Sequence, residues 1–247
     1  MNDKEKYLSD FIELKDYNSI NDFLIEISKS PNEKDLTYID TLMNVRDLEL
    51  RKNYILNLVY YLGELGKRAI LDAKYIVFMN NVYFQSDRWV RNEILSSILN
   101  FIHKIKPSED IFNIIINAIS DEYQPIKLNA IRILDQIDIF PEDILIRVIL
   151  SLKSNDAEII PYSTRIIKKS IKSNQTLIIL LEKLKDINRN VDLTLIRNLL
   201  TNLYESVMEL ERFREDLLES NLSEDYKHKF LNEIKIMQKI LLEGRDR

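Results

Sequence analysis

The sequence predicts an all-α fold, an α-solenoid of about five stacked helix pairs with helices before it and a helical hairpin capping its end. Three observations predict it. Asp47, Asp87, Asp121 and Asp156 each stand a few positions before an aliphatic residue, and with Asn188 as a degenerate fifth copy they recur at intervals of 40, 34, 35 and 32 residues. That spacing fits one helix pair per repeat. Apolar residues recur at three and four positions, as in Ile94, Ile98 and Ile102, then Ile126, Ala130, Ile133, Leu134 and Ile137, then Ile159, Ser163, Ile166, Ile167 and Ser170, the period of a helix with one buried stripe. With 3 glycines and 5 prolines in 247 residues, there is little material for hairpin turns or Gly-rich phosphate loops. The many Ile residues favour strands in isolation, but the period overrides that weak preference.

Taken in order, residues 1–30 form an N-terminal extension of one or two helices. The expected pairs are 33–44 with 47–64, 68–84 with 87–105, 108–119 with 122–138, 141–153 with 156–172, and 175–186 with 189 to about 219; a closing helix follows at 223–243. Pro31, Pro107 and Pro141 each sit just ahead of a new periodic segment, where a missing amide proton costs nothing. Ser108 and Asp121 are placed to accept hydrogen bonds from first-turn amides. Toward the end, Leu195, Leu199, Leu203, Val207, Leu210 and Leu217 keep the helical spacing through one long helix, and Tyr226, Phe230, Ile234, Met237 and Leu241 do so in the next. An antiparallel hairpin sealing the last repeat is the expected reading, since a terminal repeat needs an atypical cap. An intermolecular coiled coil interrupted by Arg214, and so a homodimer through this hairpin, is the alternative. The expected division is 1–30, a helical extension; 31–205, the repeat array; and 206–247, the cap.

Composition bounds the function. With 45% hydrophobic residues, 30% charged residues and a net charge of −5, the chain has enough apolar material for a core and is too acidic overall to be an evident nucleic-acid binder. It has no cysteine, which excludes disulfides, thiolate metal sites and a Cys nucleophile and makes the cytoplasm the default address. The polar start MNDKEKYLSD carries no signal or transit pattern. The most apolar stretches, 111–119 and 177–181, fall short of the roughly 20 residues a membrane span needs, so no membrane insertion is expected.

The segments SDRWVRNEILSSI and SDEYQPIKLNAIRIL resemble the second helix of HEAT or armadillo-like repeats, in which an Asp in the turn precedes a hydrophobic-basic pair, a small residue and an aliphatic run. Here the pairs are Leu50-Arg51, Val90-Arg91 and Ile126-Lys127, with Ala130 as the small residue; the fourth copy has Ile160-Pro161 and the fifth Val191-Asp192. The likeness covers residues 33 to 205, about five HEAT-like pairs. A tetratricopeptide pattern fails, because its Trp, Gly and Ala positions do not repeat. The recurring Asp residues are read as helix caps and the Arg four positions on as a bridge to a neighbouring pair, both structural.

Function is therefore sought on residues that do not repeat. Projection at 100° per residue puts Leu56 and Tyr60 on the outer face of one second helix, and Trp89, Asn92, Glu93, Ser96, Asn100 and His103 on that of the next. Leu128, Arg132 and Asp135 follow, then the basic stripe Arg165, Lys168, Lys169 and Lys172, then Arg197, Thr201 and Tyr204. The HEAT resemblance implies that these faces line a concave groove, suited to an acidic or amphipathic peptide. The candidate binding residues are Tyr60, Trp89, Asn92, Asn100, Arg132, Arg165, Lys168, Lys169, Lys172 and Arg197. Of the aromatics crowded between Tyr54 and Trp89, most are expected in the core. His103 has no second His or paired carboxylates beside it on its face, and no cofactor or metal site is expected.

The leading expectation is a non-enzymatic protein-protein interaction scaffold; that step rests on architecture. Two others compete: a nucleic-acid binder using the stripe and Trp89, and a structural subunit of a larger assembly. SDRWVR is also similar to a Trp/Arg-bearing repeat of the alkylpurine DNA glycosylases built from HEAT-like repeats. The tandem tryptophans and following Asp of those enzymes are missing here, where Trp89 is the chain's one tryptophan.

Overall fold

The structure, a computed structural model, describes residues 3–154, 156–187 and 192–243. Among them the chain forms fourteen α-helices and two short 3-10 turns, with no strand. Packing separates two units, Met1–Ile137 and Asp138–Arg247, a division that falls inside the expected 31–205 array.

Unit 1 contains α1 (Asp3–Glu13), α2 (Tyr17–Ser28), α3 (Leu36–Met43), α4 (Leu48–Gly66), α5 (Ala73–Tyr83), α6 (Arg88–Phe101), α7 (Glu109–Ile119) and α8 (Gln124–Asp135). Helices α2, α4, α6 and α8 pack side by side, while α3, α5 and α7 lie against α4, α6 and α8 respectively. The N-terminal residues belong to this unit, α2 on α4 and α1 on α2. The apolar stripes account for the packing: Ile94, Ile98, Ile126, Ala130, Ile133 and Leu134 are all buried, each isoleucine and leucine contributing about 1.5–3 kcal/mol.

Asp47 and Asp87 cap their helices as the sequence implies. Asp47 accepts the Leu50 amide at 3.0 Å, and Asp87 accepts those of Trp89 and Val90 at 2.9 and 3.1 Å. Asp121 stands two residues ahead of the N-cap of α8, Tyr123, and accepts the amide of that residue at 2.8 Å, so it shapes the turn before the helix and takes no first-turn amide. Ser108 does not cap: it stands at the N-cap of α7 without a side-chain bond, and its buried hydroxyl has no partner. Two glycines set the distance between α4 and α6. A Cβ on Gly63 would lie 2.5 Å from Ser97 Oγ, and one on Gly66 would lie 2.6 Å from the Phe101 ring, so the two helices meet backbone to side chain. Ser97 Oγ uses the approach to donate to the Val59 carbonyl at 3.0 Å.

Of the crowded aromatics, Tyr54, Tyr61, Tyr75 and Tyr83 are core residues. Three of their hydroxyls reach polar groups in the turn or helix beside them: Tyr54 donates to the Leu42 carbonyl, Tyr61 to that of Asn32 and Tyr75 to Asp40.

Unit 2 contains α9 (Glu142–Ser151), α10 (Ile159–Ser170), α11 (Asn174–Ile187), α12 (Leu193–Leu203), α13 (Val207–Glu219) and α14 (Glu224–Glu243). Here α10, α12 and α14 form one layer and α9, α11 and α13 another. Asp156 accepts the Glu158 and Ile159 amides at 2.8 and 3.1 Å. Asn188 and Val191, read as part of the fifth copy, lie outside the described residues. The residue that caps α12 is Asp192, which accepts the Thr194 amide at 2.8 Å.

The single helix expected over 189–219 is two. Tyr204 leaves the helix with extended backbone and stacks its ring 5.0 Å from that of Phe213. Ser206 then opens α13 with a reciprocal capping box, accepting the Glu209 amide while the Glu209 carboxylate accepts its own. Tyr204, expected on an exposed face, is therefore buried, its hydroxyl donating to Asn174 at 3.0 Å.

Candidate interaction surfaces

Of the candidate residues in unit 1, Trp89 stands at the start of α6. Trp89 sits in the first turn, its backbone fixed by the Asp87 cap, with 56% of its surface exposed. The turn before α8 brings it a neighbour. Asp121 uses one oxygen for the Tyr123 amide and the other for Arg91 Nη1 at 2.6 Å. This ion pair is largely sheltered, the side chains being 8% and 27% exposed, so it pins the turn before α8 to α6.

The turn held in this way sets the Tyr123 ring edge-on to Trp89, centroids 6.3 Å apart. The Arg88 guanidinium covers both rings, 4.9 Å from the indole and 5.3 Å from the phenol. The result is a preorganised patch of two aromatic rings and one cation, the side-chain types that dominate binding energy at protein interfaces. Phe84 is exposed as well. Sequence reasoning found Trp89 but missed Arg88 and Tyr123. A signal was present: Tyr123 follows Asp121 by the same two positions that separate Trp89 from Asp87.

The other candidates in unit 1 divide. Tyr60 is exposed, as is Leu56 one turn earlier. Asn92 is engaged in packing, accepting from Asn129 Nδ2 at 3.1 Å, and Asn129 also reaches Ser96 at 3.3 Å. Asn100 and Arg132 are half-buried. Glu93, half-buried on α6, has its carboxyl pushed above the ordinary range, first by burial and then by the charge of Glu64, with Lys67 opposing.

The basic stripe of α10 lies in unit 2 and is largely committed to its own acids. Lys168 pairs with Glu205 at 2.9 Å and Lys169 with Asp138 at 2.6 Å, while Arg165 packs 4.8 Å over the Tyr162 ring. Lys172 is exposed beside a hollow of about 340 Å³ that it shares with Lys168, Glu205 and Glu209. Arg197 forms a two-pronged bond to the nearly buried Glu233, at 2.8 and 3.0 Å, tying α12 to α14. Beside that pair opens a cleft of about 530 Å³, floored by Leu200, Tyr204, Met237 and Leu241 and flanked by Ile236 and Ile240. The sequence carries no sign of the cleft, since Met237 and Leu241 fall on the apolar stripe of the closing helix. They are only half-buried.

Among the described residues no group of three or more His, Asp and Glu side chains is placed to hold a metal ion, and no helix is long and apolar enough to cross a membrane.

No family model matches the chain, and no curated protein does. Two solved structures resemble it, both crystal structures of engineered proteins from the Northeast Structural Genomics Consortium. The first is 16% identical with a TM-score of 0.46, over 81% of this chain and 96% of that one. The second is 16% identical with a TM-score of 0.47, over 86% of this chain and 62% of that one. Likeness at this level carries nothing about function.

Proposed function

We propose that the chain is a non-enzymatic interaction scaffold of HEAT-like helix pairs that binds a protein or peptide partner, with the Trp89, Arg88 and Tyr123 patch as its anchor, and we assign it to the cytoplasm on the sequence grounds given above. The observation that carries the reading is an exposed tryptophan whose backbone the Asp87 cap fixes, and whose ring meets Arg88 and the Tyr123 ring that a sheltered ion pair holds beside it. Covering the exposed half of an indole removes roughly 100 Å² of apolar surface from water, about 2–3 kcal/mol at 25 cal/mol/Å². Arg88, stacked and already oriented, offers a flat fork to a carboxylate of the partner. The engaged cations of α10 and α12 support a bracing role for the stripe and weigh against a polyanion site.

The test begins with affinity purification from the native host and mass spectrometry, followed by titration of the captured partner. Trp89→Ala should weaken binding by about 2 kcal/mol or more, roughly 30-fold, with a shallow dependence on salt. A partner that binds the Trp89→Ala and Arg88→Ala variants as tightly as the parent removes the anchor. Micromolar binding of DNA or RNA at physiological salt, lost when Arg165, Lys168, Lys169 and Lys172 are neutralised together, overturns the scaffold reading.

A further inference from the structure

The cleft between α12 and α14 lies in the other unit and bears on a different contact. Helix α14 runs for 20 residues against the 11 of α12. Its last two turns keep apolar side chains in water, Ile236 being 50% and Ile240 62% exposed, beside the open cleft floored by Leu200, Tyr204 and Met237. In a layer where α12 packs on α10 and α14 on α12, this is the face that nothing in the chain covers among the described residues.

We propose that a second copy of the chain covers it, each α14 lying antiparallel against its mate with Ile236 and Ile240 of one copy set toward the cleft of the other. The knobs and the hole stand on one continuous patch, and a two-fold interface needs that layout, because the same surface must serve as both donor and receiver. Charge agrees with it. The mouth of the cleft carries Glu205, whose side chain is 79% exposed, while Lys235 and Lys239 flank the exposed isoleucines on α14. A second copy brings those lysines to that acid. The present partners of these groups, Lys168 for Glu205 and Glu243 for Lys239 at 3.7 Å, are surface pairs, weak enough to exchange. The direction follows from the same charges: parallel pairing would set Lys235 and Lys239 against their own copies, whereas antiparallel pairing separates them, places Ile236 opposite Ile240 and opposes the two helix dipoles.

Sedimentation equilibrium of the full chain, from about 1 to about 100 µM, tests the proposal. The expected result is a reversible rise to twice the 29.4 kDa of the chain. Ile236→Asp with Ile240→Asp should raise the dissociation constant by about 100-fold or more while leaving the circular dichroism spectrum unchanged, since both side chains are exposed in the single chain. Glu205→Lys and Lys239→Glu should each weaken the dimer by about 10-fold, and the two together should restore it. A chain that stays monomeric throughout, a dimer indifferent to the isoleucine pair, or charge swaps that fail to compensate each overturns it. None of these outcomes touches the Trp89 patch, so the two readings fail separately.

Discussion

Replacing Gly63 with Ala should destabilise unit 1 by about 2 kcal/mol, although the same change on a solvent-facing helix stabilises. A Cβ there would lie 2.5 Å from Ser97 Oγ, 2.8 Å from Ser97 Cβ and 2.9 Å from Ser97 Cα. The hydroxyl can rotate away, but the Cα moves only if α6 moves with it. Overpacking costs about 1–3 kcal/mol, and a backbone contact belongs at the upper end; removing a glycine from a helix interior returns about 1 kcal/mol. The difference is about 2 kcal/mol. Urea denaturation followed by far-ultraviolet circular dichroism measures it, provided the slope with denaturant is unchanged. The second variant is Ser97→Gly, which removes two of the three close atoms but gives up the bond to the Val59 carbonyl. Combined with Gly63→Ala it should cost less than the two single changes added together, by about 1 kcal/mol or more. A Gly63→Ala protein as stable as its parent, or more stable by the helix-propensity gain, would refute the close approach of α4 and α6.

Two further outcomes follow from the same unit. Asp87→Ala removes a cap and should cost about 1 kcal/mol, whereas Asp121→Ala loses the bond to the Tyr123 amide and strands the half-buried Arg91 and should cost about 3 kcal/mol by chemical denaturation; equal losses would show that the ion pair adds nothing. The raised Glu93 carboxyl makes a signed prediction. A carboxyl whose folded pKa exceeds its unfolded value contributes stability that is present at low pH and lost as pH rises through the folded pKa, so Glu93→Gln should raise the melting temperature near pH 7 and leave it unchanged near pH 3. A gain of the same size at both would remove the charge as its cause.

Much of the fold was legible because helix period and capping are local. The stripe at Ile126, Ala130, Ile133 and Leu134 and the aspartate before α4, α6 and α10 are statements about a dozen residues at a time, and packing did not override them. The break at Tyr204 was not legible from the stripe, since the apolar spacing from Leu199 to Val207 runs through it unchanged. Only the Ser206 and Glu209 spacing of a capping box marked the new start. Glycine scarcity speaks to turns, yet Gly63 and Gly66 both belong to α4, because their use depends on what stands opposite, Ser97 and Phe101, some 35 residues along. The candidate site divided in the same way. Exposure of Trp89 could be read from one helical wheel, whereas the cations of α10 looked available because their partners Asp138 and Glu205 lie on either side of that helix in sequence. The cleft beside α14 depends on where two helices end and had no signature in either one.

The pairs that brace neighbouring helices share one property. Asn57 to Asn21, Ser97 to Val59, Arg91 to Asp121, Arg197 to Glu233 and Asn198 to Leu152 join residues 36, 38, 30, 36 and 46 positions apart. None of these bonds waits for a distant part of the chain. During synthesis, each of these braced helices therefore meets its partner as soon as the following pair has left the ribosome, and a partly made unit holds one incomplete face at a time. Loop-closure entropy is met in small equal steps and not in one large one. The order in which the layers close can then be the order in which they are made.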